Sequence, residues 1–526
     1  MRKIGIFLFL CALFLCRFAH AGQMVNVEYI HLLIEQKWGI TVPYNPALQN
    51  VKVAANMKYL LTAVDRANKI LNGDAITDYG NGEYATLYAA DTVAAIDATD
   101  RLVKIEPKFW ITTTGDTSRF EFTMSARGTF MVDWGDGTKK RIVRADTESV
   151  TYSHEYSVAG EYKIGFGGLV TGYNEDTQSA TIRFSGNKNT AKIEGSLGRV
   201  FSTIDNGDGT VSQPRFYETF YGNSNLKGSI PGTLFDGIYG QPIQHMFRLT
   251  FQNCSGLSGS IPENLFAGLE GTPKAGMFWS TFNNCSGLTG SIPENLFAKI
   301  EGVPQYYSFL WTFSGCAGLT GKIPGKLFAG MKGAPAMGMF NGTFSGCTGL
   351  SGSIPADLFV GIKGRPANNM FNAVFNNCAG LTGSIPENLF AGVVGAPANG
   401  MFSYAFAGCA GLTGEIPEKL FNGIQGVPAA NMFASTFSDC SGLTGQIPEK
   451  LFAGITSGPA AEGMFAATFR LCWGLTGASA RINGVPLYQI WPDATYDDVA
   501  ACYLSMYQLT DWADIPIEWK LYQPEE

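Results

Sequence analysis

The side chains best suited to chemistry in this sequence are cysteines, which recur at a fixed spacing. Most lie 31 residues apart and the last follows after 32: Cys254, Cys285, Cys316, Cys347, Cys378, Cys409, Cys440 and Cys472. A thiol can form a disulfide bond, bind a metal or act as a nucleophile. Equivalent side chains of stacked repeats point in parallel, however, which is poor geometry for a disulfide bond. The spacing therefore predicts buried, unpaired thiols that pack as small apolar groups.

Histidine, a common partner of catalytic or metal-bound cysteine, is scarce in this sequence. Apart from His20 near the N-terminus, only His31, His154 and His245 occur, far apart in sequence. A histidine zinc site or a catalytic triad therefore lacks its side chains. Glutamates recur in the repeats at the position of a capping box: Glu263, Glu294, Glu387, Glu418 and Glu449. We expect no catalytic residues, no metal site and no cofactor, and hence a protein that is not an enzyme.

The cysteines belong to a repeated motif, M-F-x-x-T-F-x-x-C-x-G-L-T-G-x-I-P-x-x-L-F-x-G. In the unit around Cys285, Phe278, Phe282 and Cys285 lie at i, i+4 and i+7, which predicts one face of a short helix. The GLTGSI segment is predicted to be extended, with Leu288 and Ile292 pointing inward. Its glycines should allow neighbouring units to approach closely.

The second half of each unit carries a helix-start signal. Ser291 to Glu294 offers an N-cap residue, a proline and a capping-box glutamate, which predicts a second short helix. Leu296 and Phe297 should return from that helix to the core. Asn223 takes the cysteine position one unit before Cys254. Since one unit cannot bury its own phenylalanines, regular repetition predicts a solenoid in which each unit covers the previous one.

Residues before the repeats show a different period. Phe120, Phe122 and Met124 alternate with polar residues, and similar runs continue to about residue 184, which predicts an antiparallel β-sandwich. Asp133 and Asp136 could bind calcium in principle, but the spacing of a calcium loop is absent and a hairpin turn explains them. The related DNGDGT segment at 205–210 is predicted to be an inserted turn.

The two ends of the chain carry further signals. Residues 1–21 have the charged start, short apolar stretch and Ala-His-Ala step of a signal peptide, with cleavage predicted after Ala21. A short membrane anchor is the alternative. The periodicity that follows predicts helices, with His31 partly buried in the first. Near the C-terminus, Asp497 or Asp498 is predicted to cap a helix.

The sequence thus predicts a multidomain α+β protein. Its expected parts are a signal peptide at 1–21, a helical region at 22–104, a sandwich at 105–188, a solenoid at 189–485 and a C-terminal cap at 486–526. In the cap, Trp512 and Trp519 are expected to seal the last unit, with sugar binding as the alternative.

Two parts of the sequence resemble known families. DWGDGT (133–138) followed by HEYSVAGEY (154–162) resembles the PKD domain, an immunoglobulin-like extracellular module, which implies a spacer or presenting role. The M-F, Cys and Leu positions of the repeats are similar to those of BspA-like leucine-rich-repeat proteins of bacterial surfaces, and LTGSIP is similar to plant-type leucine-rich repeats. The BspA-like resemblance covers roughly 189–485 and implies a leucine-rich-repeat-type solenoid that adheres to other cells or to extracellular matrix.

Charge limits the expected partners. Removal of residues 1–21 leaves 34 basic against 44 acidic residues, a net charge of −10 without a basic stripe. Nucleic acid and anionic lipid are therefore poor partners. No second apolar run is long enough to span a membrane, so a secreted or cell-surface protein with no stable span after cleavage is expected.

The positions that vary between repeats form a candidate binding strip: Arg248, Leu249, Trp279, Ser280, Asn341, Gly342, Ser403, Tyr404, Ala434 and Ser435. If these residues share an exposed face, they suit recognition of an extracellular protein or glycan; unconstrained surface is the alternative. The leading hypothesis is an exported binding or adhesion protein that engages host, matrix or cell-surface molecules. A structural surface-assembly subunit and an accessory module of extracellular polysaccharide breakdown are the other hypotheses. The oligomeric state stays open.

Overall fold

The computed structural model describes residues 106–185, 189–456 and 458–522. This part of the chain is rich in β-structure, with several antiparallel sheets and few helices. The predicted signal peptide (1–21) and helical region (22–104), including His31, lie outside the described residues.

The N-terminal part consists of two antiparallel sheets. The strands are β1 (Phe109–Thr113), β2 (Thr117–Met124), β3 (Ala126–Asp133), β4 (Lys139–Arg144), β5 (Val150–Gly160), β6 (Lys163–Tyr173), β7 (Ile182–Arg183) and β8 (Thr190–Gly195). One sheet has the order β4-β3-β6-β1-β8 and the other the order β5-β2-β7. Phe120, Phe122 and Met124 are buried, so the alternation predicted for β2 is confirmed.

The boundary of this sheet pair differs from the position suggested by the sequence pattern. Strand β8 lies beyond residue 188, and its Ile193 pairs with Ile111 of β1. The TAKIEG segment is short and has little apolar alternation, so only its pairing identifies it as part of the sheet.

The repeats that follow contain little regular secondary structure. Their strands are two residues long: β9 (Ile204–Asp205), β10 (Val211–Ser212), β11 (Gly445–Gln446), β12 (Leu475–Thr476), β13 (Arg481–Ile482) and β14 (Val485–Pro486). Strands β9 and β10 form a hairpin around the 205–210 turn, as predicted. Elsewhere, single parallel bridges join each unit to the next, for example Gly321 to Leu350 and Gly302 to Met331.

Both helices predicted for each unit are wrong. The Phe278 N–H donates to the Ser308 carbonyl of the next unit (2.9 Å) instead of to a residue one helical turn earlier. In the second half, the Leu296 N–H donates to the Pro293 carbonyl (3.3 Å), which closes a tight turn and not an α-helical turn. Bonds to neighbouring units replace helical bonds, because a stack offers each unit unpaired backbone groups on both sides.

The inward positions of the unit are nevertheless as predicted. Phe278, Phe282, Cys285 and Leu288 are fully buried. The close approach at Gly287 is also confirmed, since a Cβ atom there would lie 2.4 Å from the Leu257 carbonyl oxygen.

We call the units containing Asn223 through Cys472 the repeat array. Three ladders of stacked phenylalanine rings run through it. In the longest ladder, ring centroids of successive units are 5.4 to 5.9 Å apart. Its members are Phe184, Phe220, Phe251, Phe282, Phe313, Phe344, Phe375, Phe406, Phe437, Phe469 and Tyr503. The first member, Phe184, belongs to the core of the sheet pair, so the two regions share one hydrophobic core.

The last unit is covered by short helices: α1 (Leu487–Ile490), α2 (Tyr496–Val499), a 3-10 helix (Trp512–Asp514) and α3 (Ile517–Lys520). The predicted cap residue of α2 is wrong, because Thr495 is the N-cap and Asp498 completes its capping box from inside the helix. Trp519 is buried and its ring lies 6.1 Å from that of Tyr503, which is the expected sealing arrangement. Trp512 is half-buried and contacts the exposed Tyr507.

Candidate binding face

The first half of each unit forms a run of turns with alternating hydrogen bonds. The N–H groups of Gly276, Phe278 and Ser280 donate to the next unit, at 3.0, 2.9 and 2.7 Å. Those of the intervening Met277 and Trp279 donate three residues back, at 3.1 and 3.2 Å. We call the surface of these runs the turn face; it comprises residues 244–253, 275–284, 306–315, 337–346, 368–377, 399–408 and 430–439.

Every fourth residue on the turn face has a left-handed backbone, including residues other than glycine. In the unit of Cys316, φ is 58° at Tyr307 and 52° at Trp311. The side chains at such positions lie against the next unit. A Cβ atom built on Gly338 would lie 2.6 Å from the Tyr307 ring, and one on Gly342 would lie 2.2 Å from the Trp311 ring. Both rings therefore occupy space that any side chain in the next unit would need.

The predicted strip lies on the turn face, but only part of it is accessible. Tyr404 is 47% exposed. Half-buried members are Arg248, Leu249, Trp279 and Asn341, whereas Ser280, Gly342, Ser403, Ala434 and Ser435 are buried. The strip is therefore not a continuous exposed surface; at Gly342, for example, the Trp311 ring of the preceding unit fills the space above the backbone.

Sequence reasoning missed the aromatic residues of the Cys316 unit. Tyr306 and Trp311 are 44% and 42% exposed, and Tyr307 is half-buried beside them. Their unit reads YYSFLWTF and has Ser308 where the motif has methionine, so a search for M-F omits it. Alignment on Cys316 would have found them.

These residues form an aromatic cluster across adjacent units. The Trp279 and Tyr307 ring centroids are 5.4 Å apart, and those of Tyr306 and Tyr307 are 5.7 Å apart. The Arg248 guanidinium lies 3.9 Å from the centre of a Trp279 ring, a cation–π contact. The Gln244 amide donates to the Tyr306 hydroxyl at 3.2 Å. The cluster can pack against a ligand through ring faces and bind it through amide groups.

The buried cysteine thiols do not form a reactive site. Cys254 through Cys472 and also Cys502 are unpaired and buried. Burial raises the pKa of Cys316 to about 12 and that of Cys285 well above its usual value. The thiol of each repeat cysteine donates a hydrogen bond to a backbone carbonyl of the preceding unit, as Cys285 does to Phe251 at 2.9 Å. A neutral, buried thiol is a poor nucleophile and metal ligand.

A histidine–carboxylate pair in the sheet region supports a turn. Nε2 of His154 lies 2.7 Å from Oδ2 of Asp136, and its ring stacks on Trp134 at 4.8 Å. Burial alone would raise the pKa of Asp136, but its hydrogen bonds with Thr138 and His154 lower it to about 2. The Asp136 carboxylate thereby holds the 133–138 turn closed, which is the predicted hairpin role.

The repeat glutamates do not act as capping-box residues in a helix. Glu263 accepts a hydrogen bond from Asn295 of the next unit at 2.6 Å, and Glu387 lies 3.3 Å from Lys419. An open groove of about 420 Å³ lies beside Glu263 and Asn295, and its lining is mainly apolar, with Phe266 and Leu296 among its residues. Exposed ion pairs such as the one between Glu387 and Lys419 contribute little stability.

Other functional features are limited in the described part of the chain. No three metal-binding side chains come together among the described residues. Within the same residues, no helix combines the length and hydropathy needed to cross a bilayer. A scan against protein-family models and searches of curated proteins and of solved structures found no match.

Proposed function

We propose that this chain is an exported, non-enzymatic binding protein. Its repeat array is a solenoid of the leucine-rich-repeat type, similar to BspA-like proteins, and engages an extracellular protein or glycan of a host, matrix or cell surface. The sheet pair is a PKD-like module joined to the solenoid.

One contrast on the turn face carries this proposal. Some positions that point inward keep the same residue, as Phe282 and its equivalents Phe313 and Phe344 do. The position of Trp279 instead varies from unit to unit, through Arg248, Trp279, Leu310, Asn341, Asn372, Ser403 and Ala434. Packing requires the first set. Variation at the half-buried arginine, tryptophan and asparagine members of the second set creates a surface that differs from place to place and can be specific for a ligand, whereas its leucine, serine and alanine members are buried.

The solenoid interpretation is supported by the unit-to-unit contacts. Parallel bridges, stacked rings and backbone bonds all link a residue to its equivalent, or nearly so, in the next unit. Nearest-neighbour stacking of this kind is typical of repeat proteins. The export proposal is supported by residues 1–21, whose pattern is that of a signal peptide.

The test is a binding screen with residues 22–526 against matrix proteins and a glycan array. We expect a ligand whose binding is weakened by substitutions on the turn face, with the exposed Val143→Ala of β4 as control. The sheet region must stay in the chain, because Phe184 covers the first unit. If no ligand binds and the mass of the particle in solution grows with protein concentration, the proposal is contradicted and a surface-assembly subunit is favoured. Turnover of a polysaccharide would contradict the non-enzymatic assignment.

A further inference from the structure

The turn face is uncharged over successive units. Its segments 275–284, 306–315, 337–346, 368–377 and 399–408 contain no aspartate, glutamate, lysine, arginine or histidine. The whole chain has a net charge of −7, and the same units carry charged residues on their other edges. The absence of charge is therefore a local property of this surface.

Aromatic rings project from this uncharged surface. Tyr306, Trp311 and Tyr404 are each more than 40% exposed. The half-buried rings of Tyr307 and Trp279 lie side by side, and that of Tyr307 also contacts Tyr306. Contact of exposed tryptophan and tyrosine ring surface with water is unfavourable, and a ligand that covers the rings removes this apolar surface from water. The Trp311 ring is fixed in place because it fills the space above Gly342.

Amide side chains occupy the positions of these rings in later units. Asn341 and Asn372 occupy the position of Trp279 in later units, and Asn368 and Asn399 occupy that of Tyr306. The amide of Asn368 accepts a hydrogen bond from the Asn399 N–H at 3.1 Å, so these groups are held by the backbone. Each amide offers both donors and an acceptor, which matches hydroxyl groups.

We propose that the turn face, centred on Tyr306, Tyr307 and Trp311, binds an uncharged polysaccharide. A sugar ring presents C–H groups on its faces, which pack on aromatic rings, and hydroxyl groups at its edge, which bond to amides. A surface without charge gives no preference to acidic or basic polymers. Because units recur at roughly 4.8 Å where they are hydrogen-bonded, a polymer with repeated rings can contact several units in succession.

A protein partner is less suited to this surface. Protein interfaces combine a buried apolar centre with a polar rim and are enriched in arginine. The five segments offer no charged rim, and the arginine beside them, Arg248, is stacked on Trp279 at one end of this surface. The inference rests on the proposed function and narrows its ligand class.

The experiment is affinity electrophoresis of residues 22–526 in gels containing a neutral glucan, mannan or xylan, with dextran sulfate as the anionic probe. We expect a neutral polymer to retard the protein equally at low and high salt, because no ion pair is formed. Trp311→Ala and Tyr404→Ala should each weaken retention about tenfold or more. The control is Trp473→Ala, an aromatic residue that is 60% exposed but lies outside the turn face. Thermal melting of each variant checks that the fold is kept.

Three results with the polysaccharides and variants would overturn the inference, and two further outcomes separate it from the proposed function. The first is retention only by dextran sulfate with loss at high salt. The second is an equal loss in the Trp473→Ala variant, and the third is retention that Trp311→Ala and Tyr404→Ala leave unchanged. A matrix protein that binds the turn face while all polysaccharides fail would overturn this inference and leave the proposed function standing. Failure of every ligand would contradict both.

Discussion

At the scale of single residues, the threonine and cysteine of the motif supply hydrogen bonds that the backbone cannot. Thr281 Oγ1 donates to the Phe247 carbonyl at 2.9 Å, and Cys285 Sγ donates to the Phe251 carbonyl at 2.9 Å. Both acceptors also belong to turns of the preceding unit. Asn223 makes the equivalent bond to Phe184 at 3.2 Å, which explains why an amide can replace the cysteine there.

The buried thiols should be protected from reagents in the native protein. We expect no labelling of residues 22–526 by a thiol reagent at pH 8 until denaturant is added, after which all nine cysteines should react. Mass spectrometry after timed labelling checks this. Rapid native labelling of the ladder cysteines would show that the units open far more easily than their packing indicates.

Alkaline pH should destabilise the fold through the same thiols. Burial raises the pKa of Cys254 to about 12, and it raises that of Cys347 well above the usual value. Below about pH 8.5, the pKa of a thiol in the unfolded chain, the thiols are protonated in both states and stability is fully retained. As pH rises from there towards the folded pKa, only the unfolded chain releases the proton, so the free energy of unfolding falls. Replacing one thiol, as in Cys347→Ala, should therefore reduce the fall in unfolding free energy by about 1.4 kcal/mol per pH unit. Urea unfolding at pH 8, 9 and 10 measures the free energy of unfolding of both proteins. The same dependence on pH in the variant and the original protein would contradict this prediction.

At the scale of the unit, a left-handed backbone on the turn face creates an alternation between large residues and glycine. At one position the order is His245, Gly276, Tyr307, Gly338, Asn369, Gly400, Asn431 and Gly463, all with positive φ. At this position each side chain leans over the next unit, where glycine leaves room for it. The structural period at this position is therefore two units.

A double-mutant cycle can measure this alternation. Gly338→Ala should destabilise the protein by about 2–4 kcal/mol, because it adds left-handed strain and a clash with the Tyr307 ring. Gly222→Ala is the matched control, since Gly222 has a φ of 75° and open space around its Cβ position; strain alone should cost about 1–2 kcal/mol.

The second half of the cycle uses the ring. Tyr307→Ala in the Gly338→Ala background should recover the clash contribution, which chemical denaturation measures as a coupling energy. Strictly additive effects would mean that the ring moves aside without cost.

At the scale of the whole molecule, the sheet pair acts as the N-terminal cap of the repeat array. Phe184 heads the longest ring ladder, and its N–H donates to the Thr219 carbonyl at 2.7 Å. Tyr503 and Trp519 end the ladder at the opposite side. Repeat arrays require such ends, because a terminal unit otherwise exposes its apolar face.

A shared core predicts coupled unfolding. Phe184→Ala should cost about 3–5 kcal/mol and lower the stability of the sheet pair and the repeats together. Val143→Ala, at a position 55% exposed on β4, should change little. Differential scanning calorimetry of residues 22–526 measures the number and temperature of the unfolding transitions. Two separate transitions, with only the first shifted by Phe184→Ala, would show that the regions fold independently.

The sequence by itself determined which residues of the repeated motif form the core. The strict 31-residue period places Phe282, Cys285 and Leu288 in the core whatever the backbone does, because only stacking can bury so many phenylalanines. Local pattern also identified β2, since alternation and burial have the same period in a strand, whereas only pairing with β1 identifies β8.

Only the tertiary structure decided how the backbone bonds are satisfied. An i, i+4, i+7 pattern is common to a helix and to a run of turns whose left-handed residues recur every four positions, so the spacing could not separate them. The choice depends on the neighbouring unit, which accepts the N–H groups of Gly276, Phe278 and Ser280. The same contacts decide which variable residues are exposed: Ser280 and Gly342 are covered, whereas Trp311 and Tyr404 reach the surface, because each side chain on a left-handed residue leans over the following unit.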